Sequence, residues 1–327
     1  MKVMNSVFEI DNLTISYEID GVFYDAIKNV SFSIPEGKIT GIIGESGCGK
    51  STLGLALLGL LKKGAKLRGG KILFEGRDIF SLSERERIFF RKNKTGYIHQ
   101  NPFESLNPIV KIKKQLEERC SGDCNFRERV NELFEIVNLK EVDLILEKYP
   151  FELSGGQNQR VSIVSALLPS PEVVIADEPT TALDVTVQSM ILSHLLKVKE
   201  KYGLTLILIS HDVSMVSFFT DYVIVLYGGR VVEMGGTDSV MKKPIHPYTV
   251  ALLNSVIKSG KRPSPIEGEV PSITDGINGC PFHPRCKYAF KRCSEAFPSV
   301  GYGEGGDHIF FCHLEKDVLL RPKKSHV

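Results

Sequence analysis

The stretch GESGCGKST, residues 44–52, decides the fold. It fits the pattern G-x-x-x-x-G-K-[ST] through Gly44, Gly49, Lys50 and Ser51. Glycines let such a loop curl until successive backbone N–H groups point at phosphate oxygens, and a helix that follows adds its positive N-terminal end. The flanks have the required character. KITGIIG (38–44) is an apolar run suited to a buried strand, and STLGLALLGLL (51–61) reads as a helix interrupted only by Gly54 and Gly59. In this setting Lys50 is expected to reach the outer phosphates and Ser51 to ligate Mg²⁺. Glu45, Ser46, Gly47, Cys48 and Thr52 complete the cradle.

Two further stretches belong to the same chemistry. VVIADEP (173–179) is an apolar strand ending in Asp177, a carboxylate placed to hold Mg²⁺ at a strand's C-terminal end. Glu178 follows on the opposite side, the natural general base for an attacking water. LSGGQNQR (153–160) then offers Ser154, Gly155, Gly156 and Gln157 at the start of a helical pattern, a second anion site. A chain with one lysine-bearing cradle has no obvious use for another phosphate site. The loop makes sense if it faces the nucleotide of a second molecule.

Around these motifs the chain reads as alternating strands and helices, hence a parallel α/β core. VFEIDNLTISYEI (7–19), AIKNVSFSI (26–34) and GGKILFEGRDI (69–79) suggest strands and a hairpin, and residues 83–150 turn helical and charged. TLILISHD (205–212) is a strand. DYVIVLYGGRVVEMG (221–235) reads as a hairpin turning at Gly228 and Gly229. After about residue 240 come a short helix, HPYTVALL (246–253), a Pro/Gly/Ser-rich linker and a cysteine-bearing tail.

Composition narrows the class. The chain has 327 residues, 42% hydrophobic and 24% charged, as in ordinary globular proteins. A formal net charge of +2 argues against a dedicated nucleic-acid binder. No apolar run is long enough to span a bilayer, and MKVMNSVFEID lacks the apolar core of a signal peptide. The expectation is a chain made and kept in the cytosol, reaching a membrane only through partners. An odd count of seven cysteines fits that compartment better than a disulfide framework. Cys120 and Cys124 read as surface or packing residues.

Taken in order, the motifs resemble those of the ATP-binding subunits of ABC transporters, whose signature is LSGGQ. The resemblance covers about residues 7–240 and includes Gln100 in YIHQNP, Asp184 in the stretch Ala182-Leu183-Asp184, and His211 in LISHD. It implies a P-loop NTPase, RecA-like core with an antiparallel β subdomain and a helical signature subdomain at about 100–165. Residues 1–240 would form this cassette and 241–327 a C-terminal extension. It also implies ATP and Mg²⁺ as ligands. Tyr17 would stack on adenine. Ser51, Gln100 and Asp177 would serve the Mg²⁺, and Glu178, Gln100 and His211 the hydrolysis. Ser154, Gly155, Gly156 and Gln157 would cap the nucleotide of a partner subunit, with Asp184 reaching across the dimer.

QNPFESLNP (100–108), HPYTVALL and the cysteine tail narrow the resemblance to ATPase subunits of oligopeptide and dipeptide importers. The implied partners are a second ATPase subunit, expected to be a paralogue, two membrane permeases, and an extracytoplasmic binding protein through the complex. The implied place is the cytoplasmic face of the membrane. Relatives in that group also carry oligosaccharides or nickel, and a soluble ABC ATPase outside transport is the alternative class. The tail cysteines, Cys280, Cys286, Cys293 and Cys312, have the spacing C-x5-C-x6-C-x18-C. Four thiolates there suggest a metal in place of a core that the tail is too small to build. Zinc usually takes tighter knuckles and a [4Fe–4S] cluster accepts wider spacing, while free thiols or a disulfide also remain open. The resemblance favours the cluster. Arg285 and Lys287, beside Cys286, read as solvated charges.

Overall fold

The computed structural model describes residues 5–120, 125–179, 185–255, 264–303 and 306–314. The elements run β1 (Ser6–Ile19), β2 (Val22–Pro35), β3 (Ile39–Ile43), α1 (Lys50–Ala56), β4 (Ala65–Phe74), β5 (Arg77–Asp78), α2 (Glu84–Phe89) and β6 (Thr95–Ile98). Next come α3 (Pro102–Ser105), α4 (Ile112–Arg119), α5 (Phe126–Ile136), α6 (Val142–Glu147), α7 (Gly155–Leu167), β7 (Val173–Asp177), α8 (Val185–Tyr202) and β8 (Thr205–Ser210). The last are α9 (Val213–Phe219), β9 (Tyr222–Tyr227), β10 (Arg230–Gly236), α10 (Thr237–Lys242), α11 (Pro247–Asn254), α12 (Lys291–Glu295), β11 (Gly301–Tyr302) and β12 (Ile309–Phe310). The chain divides into two units. The first takes the described residues within 1–7, 35–39 and 78–209, and the second those within 8–34, 40–77 and 210–327.

In the first unit β6, β7 and β8 pair in parallel, with Ile98 beside Ala176 and Asp177 beside Ile209. Every residue of β7 and β8 is buried. That explains their unbroken apolar runs, since a strand covered on both faces has no polar side to alternate with. β6 interrupts a region whose sequence reads as helical throughout. Its four residues, TGYI, are too short to show a period, and charged neighbours hide them. Gly96 within it has a steric reason. A Cβ there would lie 2.5 Å from the carbonyl oxygen of Ala166, so glycine lets α7 pack directly on the sheet.

In the second unit β3 pairs in parallel with β9, and β9, β10, β12 and β11 continue antiparallel. Gly228 and Gly229, both at positive φ, turn the β9–β10 hairpin as the sequence indicates. A separate sheet is built on β1 and β4, which pair antiparallel. The helix after the P-loop is shorter than its apolar run. Gly59 adopts φ 65, with Leu60 N–H bonding to Leu55 O and Gly59 N–H to Ala56 O, a Schellman stop that an apolar pattern does not reveal. Among the described residues, no helix is long and apolar enough to cross a membrane.

Candidate functional site

The cradle lies in the second unit. Gly49 precedes α1 at φ 103, and a Cβ there would stand 2.7 Å from Ala26 O, so only glycine closes this loop without strain. Lys50 is 5% exposed, and its Nζ donates to Gly44 O at 2.8 Å and Glu45 O at 3.0 Å. The ammonium is thus folded over the loop whose N–H groups would receive phosphate. Ser46 and Gly47 are exposed at the crest, while Cys48 is buried and burial pushes its thiol up. Tyr17 is half-buried on β1, and its hydroxyl meets Thr52 Oγ1 at 3.1 Å. The candidate adenine platform therefore contacts the P-loop. His211 is exposed just past β8, and Asp212 caps α9 by accepting from Met215 N–H at 3.1 Å.

The first unit carries the acid cluster. Asp177 is 5% exposed and accepts from the Tyr97 hydroxyl at 2.9 Å. Burial first, and then the Asp177 charge, raises the Tyr97 pKa, so the phenol stays a donor. Glu178 sits at φ 47, a left-handed backbone uncommon for such a side chain, with its N–H donating to Ile209 O at 2.9 Å. Gln100 Nε2 reaches Glu178 Oε2 at 3.2 Å, joining two predicted site residues that are far apart in sequence. Hydroxyl, amide and carboxylate oxygens, as on Ser51, Gln100 and Asp177, are the hard donors that Mg²⁺ prefers. Residues 182–184, with Asp184, lie outside the described residues.

The signature residues open α7. Ser154 accepts from Gln157 N–H at 3.3 Å while Gln157 Oε1 accepts from Ser154 N–H at 2.9 Å, a reciprocal capping box. Ser154 and Gly155 are exposed and Gly156 and Gln157 half-buried, and a Cβ at Gly155 or Gly156 would meet nothing within 4 Å. Two residues just beyond carry structural roles that the sequence left unread. Asn158 is fully buried and donates to Pro150 O at 2.8 Å and Leu153 O at 3.3 Å, pinning the approach to the loop. Gln159 Nε2 donates to Pro179 O at 2.9 Å, tying α7 to the segment that follows Glu178.

The C-terminal extension packs within the second unit. Cys280, Cys286, Cys293 and Cys312 are free thiols, which removes the disulfide alternative there. They line one cavity of about 10 Å³ together with His246 and His313. That is room for about one water. Burial pushes the Cys280 thiol up to about 12 and the Cys312 thiol up to about 11. Among the described residues, no group of three or more His, Cys, Asp or Glu is arranged to hold a metal ion. The expected zinc or [4Fe–4S] centre does not fit these side chains as they stand. Elsewhere, Cys120 is half-buried just past the end of α4, and Cys124 lies outside the described residues.

Arg285 overturns its reading as a solvated charge. Its side chain is 5% exposed and grips the Glu45 carboxylate with Nη1 at 2.6 Å and Nη2 at 3.2 Å. Nη1 also donates to the Tyr227 hydroxyl at 3.0 Å. Lys287 is exposed as expected, beside Glu267. No local pattern marks the difference between the two cations, because the partner of Arg285 lies 240 residues away.

This order of cradle, capped glycine loop, and buried acid with adjoining base is that of an ATP-binding cassette. The chain belongs to the ABC transporter family of ATP-binding proteins: residues 27–181 match the family model described as ABC transporter. Residues 232–293 match the model described as oligopeptide/dipeptide transporter, C-terminal region. The oligopeptide transport ATP-binding protein OppD of Salmonella typhimurium is 38% identical, over 95% of this chain and 95% of that protein. The dipeptide transport ATP-binding protein DppD of Escherichia coli is 35% identical, over 97% and 99%. Among solved structures, the ATP-binding cassette MJ0796, a dimer in a post-hydrolysis state bound to ADP and Pi, is similar with a TM-score of 0.62. It is 28% identical, over 70% of this chain and 98% of that one.

Proposed function

We propose that this chain is the ATP-hydrolysing subunit of a peptide importer, with residues 1–240 as the cassette and 241–327 as the extension. The observation that carries the hydrolytic reading is the Gln100–Glu178 hydrogen bond beside buried Asp177. A candidate water-positioning amide and a candidate base meet at the end of the β7 strand.

In this reading the P-loop N–H groups and Lys50 hold the triphosphate, while Tyr17 supports the base. Ser51, Gln100 and Asp177 would hold Mg²⁺, which neutralises charge on the phosphates. Glu178 accepts the proton of the attacking water, Gln100 orients that water, and His211 steadies the terminal phosphate. The chemistry is positioning and charge neutralisation, without a covalent intermediate. Ser154, Gly155, Gly156 and Gln157 face the nucleotide of a second ATPase subunit, with Asp184 reaching across to it. The exposed, unobstructed start of α7 supports this. Two permeases and an extracytoplasmic binding protein select the solute, and the chain works at the cytoplasmic face of the membrane. Peptide as the solute rests on the relatives named OppD and DppD and on the matched C-terminal region.

Reconstitution with the permeases in liposomes tests the whole reading. Peptide uptake that requires ATP and is lost in Glu178→Gln supports it. ATP-driven uptake of an oligosaccharide or of nickel but not peptide would reassign the solute, and a chain that never associates with permeases would move it outside transport. A cluster or zinc on the four tail cysteines rests on the resemblance and on their shared cavity, and it requires the side chains to rearrange. Iron, sulfide and zinc content after anaerobic purification decides it.

A further inference from the structure

The residue Glu45 is held from three directions. Its N–H bonds to the Tyr248 hydroxyl at 2.9 Å, its carbonyl accepts from Lys50 at 3.0 Å, and its carboxylate takes both Nη atoms of Arg285. Lys50 belongs to the cradle itself, but the other two do not. Tyr248 comes from α11 and Arg285 from the cysteine-bearing segment, so two separate parts of the extension converge on one P-loop residue. Both are fixed in turn. Tyr248 is fully buried against Tyr227 and Phe282, and Arg285 also donates to the carbonyls of Glu267 and Ile266. A cavity of about 40 Å³ is lined by Gly47 of the loop together with Ser272 and Ile273 of the extension, so the contact extends along the loop.

The chemistry at this point is unfavourable without the clamp. A carboxylate one residue into a phosphate cradle repels the anion the cradle must bind. Arg285 cancels that charge in a fixed bidentate geometry, and Tyr248 fixes the N–H next to it. We infer that Arg285 is a positioning residue of the nucleotide site, with Tyr248 as its second arm: the extension neutralises and orients Glu45 so that the P-loop binds a triphosphate. The inference rests on the nucleotide-binding reading of the P-loop given above.

The test measures binding of Mg-ATP, Mg-ADP and AMP to the full-length chain and its variants, with a thermal melt of each. Arg285→Ala should raise the ATP dissociation constant about tenfold or more, with a smaller rise for ADP and least for AMP, because the repulsion scales with ligand charge. Adding Glu45→Gln to that variant should recover most of the loss, since it removes the unpaired carboxylate. Tyr248→Phe should weaken ATP by a smaller factor. Two results would overturn the inference. One is an ATP affinity within about twofold of the native chain in Arg285→Ala. The other is a loss equal for all three nucleotides that tracks the melting temperature and is not recovered by Glu45→Gln. Lys50→Ala separates the two levels: if it still binds ATP normally, the P-loop reading itself fails, whereas loss there with an indifferent Arg285→Ala sinks only the clamp.

Discussion

The two glycine-rich loops are built to opposite specifications. At the P-loop, Lys50 is buried, Gly49 is wedged against Ala26, and Glu45 is held by three side chains. At residues 153–157 the loop caps its own helix and leaves its glycines open, with the stiffening placed behind it in Asn158 and Gln159. The first arrangement suits a ligand gripped within the chain. The second suits a surface offered to something outside it, on a base that does not yield.

The largest expected effect separates gripping from turnover. Glu178→Gln should keep nucleotide binding and lower the hydrolysis rate of the assembled ATPase about a hundredfold or more. Hydrolysis near the native rate would remove the base assignment. Next comes the outward loop. Gly156→Ala adds a methyl that meets nothing in the chain, so the melting temperature should hold or rise slightly. Turnover of the two-subunit assembly should nonetheless fall about tenfold, while binding by the isolated chain stays unchanged. Equal turnover would mean that nothing approaches the loop.

Smaller effects probe the support behind it. Asn158→Ala should cost about 1–3 kcal/mol in denaturant unfolding, because it removes the bond to the Leu153 carbonyl and leaves that of Pro150 with the Leu153 N–H alone. The smallest is electrostatic. Glu132 on α5 accepts from Lys201 at 2.7 Å and from the Tyr202 hydroxyl at 2.6 Å, and these bonds, the Lys201 one first, hold its carboxyl down to about 2. With a folded value below the unfolded one, its stabilisation is complete above about pH 4.5 and fades as pH falls toward 2. Allowing for solvent at this partly exposed site, about 1 kcal/mol is at stake. Glu132→Gln should flatten that part of the stability–pH curve.

The motifs legible in the sequence are those whose chemistry sits in consecutive residues. Gly44 to Thr52, Asp177 with Glu178, and Ser154 to Gln157 each carry their pattern within one short window, and the buried β7 and β8 show it as unbroken apolar runs. What stays hidden depends on partners far along the chain. Tyr97 bonds to Asp177 across 80 residues and Gln159 to Pro179 across 20. β6 is too brief for a period, and Gly59 looks like an ordinary interruption until its φ is known. Arg285 and Lys287 have the same charge and nearly the same neighbours. Only the fold sends one inward and leaves the other in water.

The left-handed backbone at Glu178 has a price in folding. A glycine would adopt φ 47 without penalty, whereas a side chain there costs on the order of 1 kcal/mol. The protein therefore keeps a small, permanent handicap at the residue proposed as its general base. If the proposed role holds, swapping that residue for glycine should yield a hardier molecule that does no work, with a higher melting point and no ATP turnover.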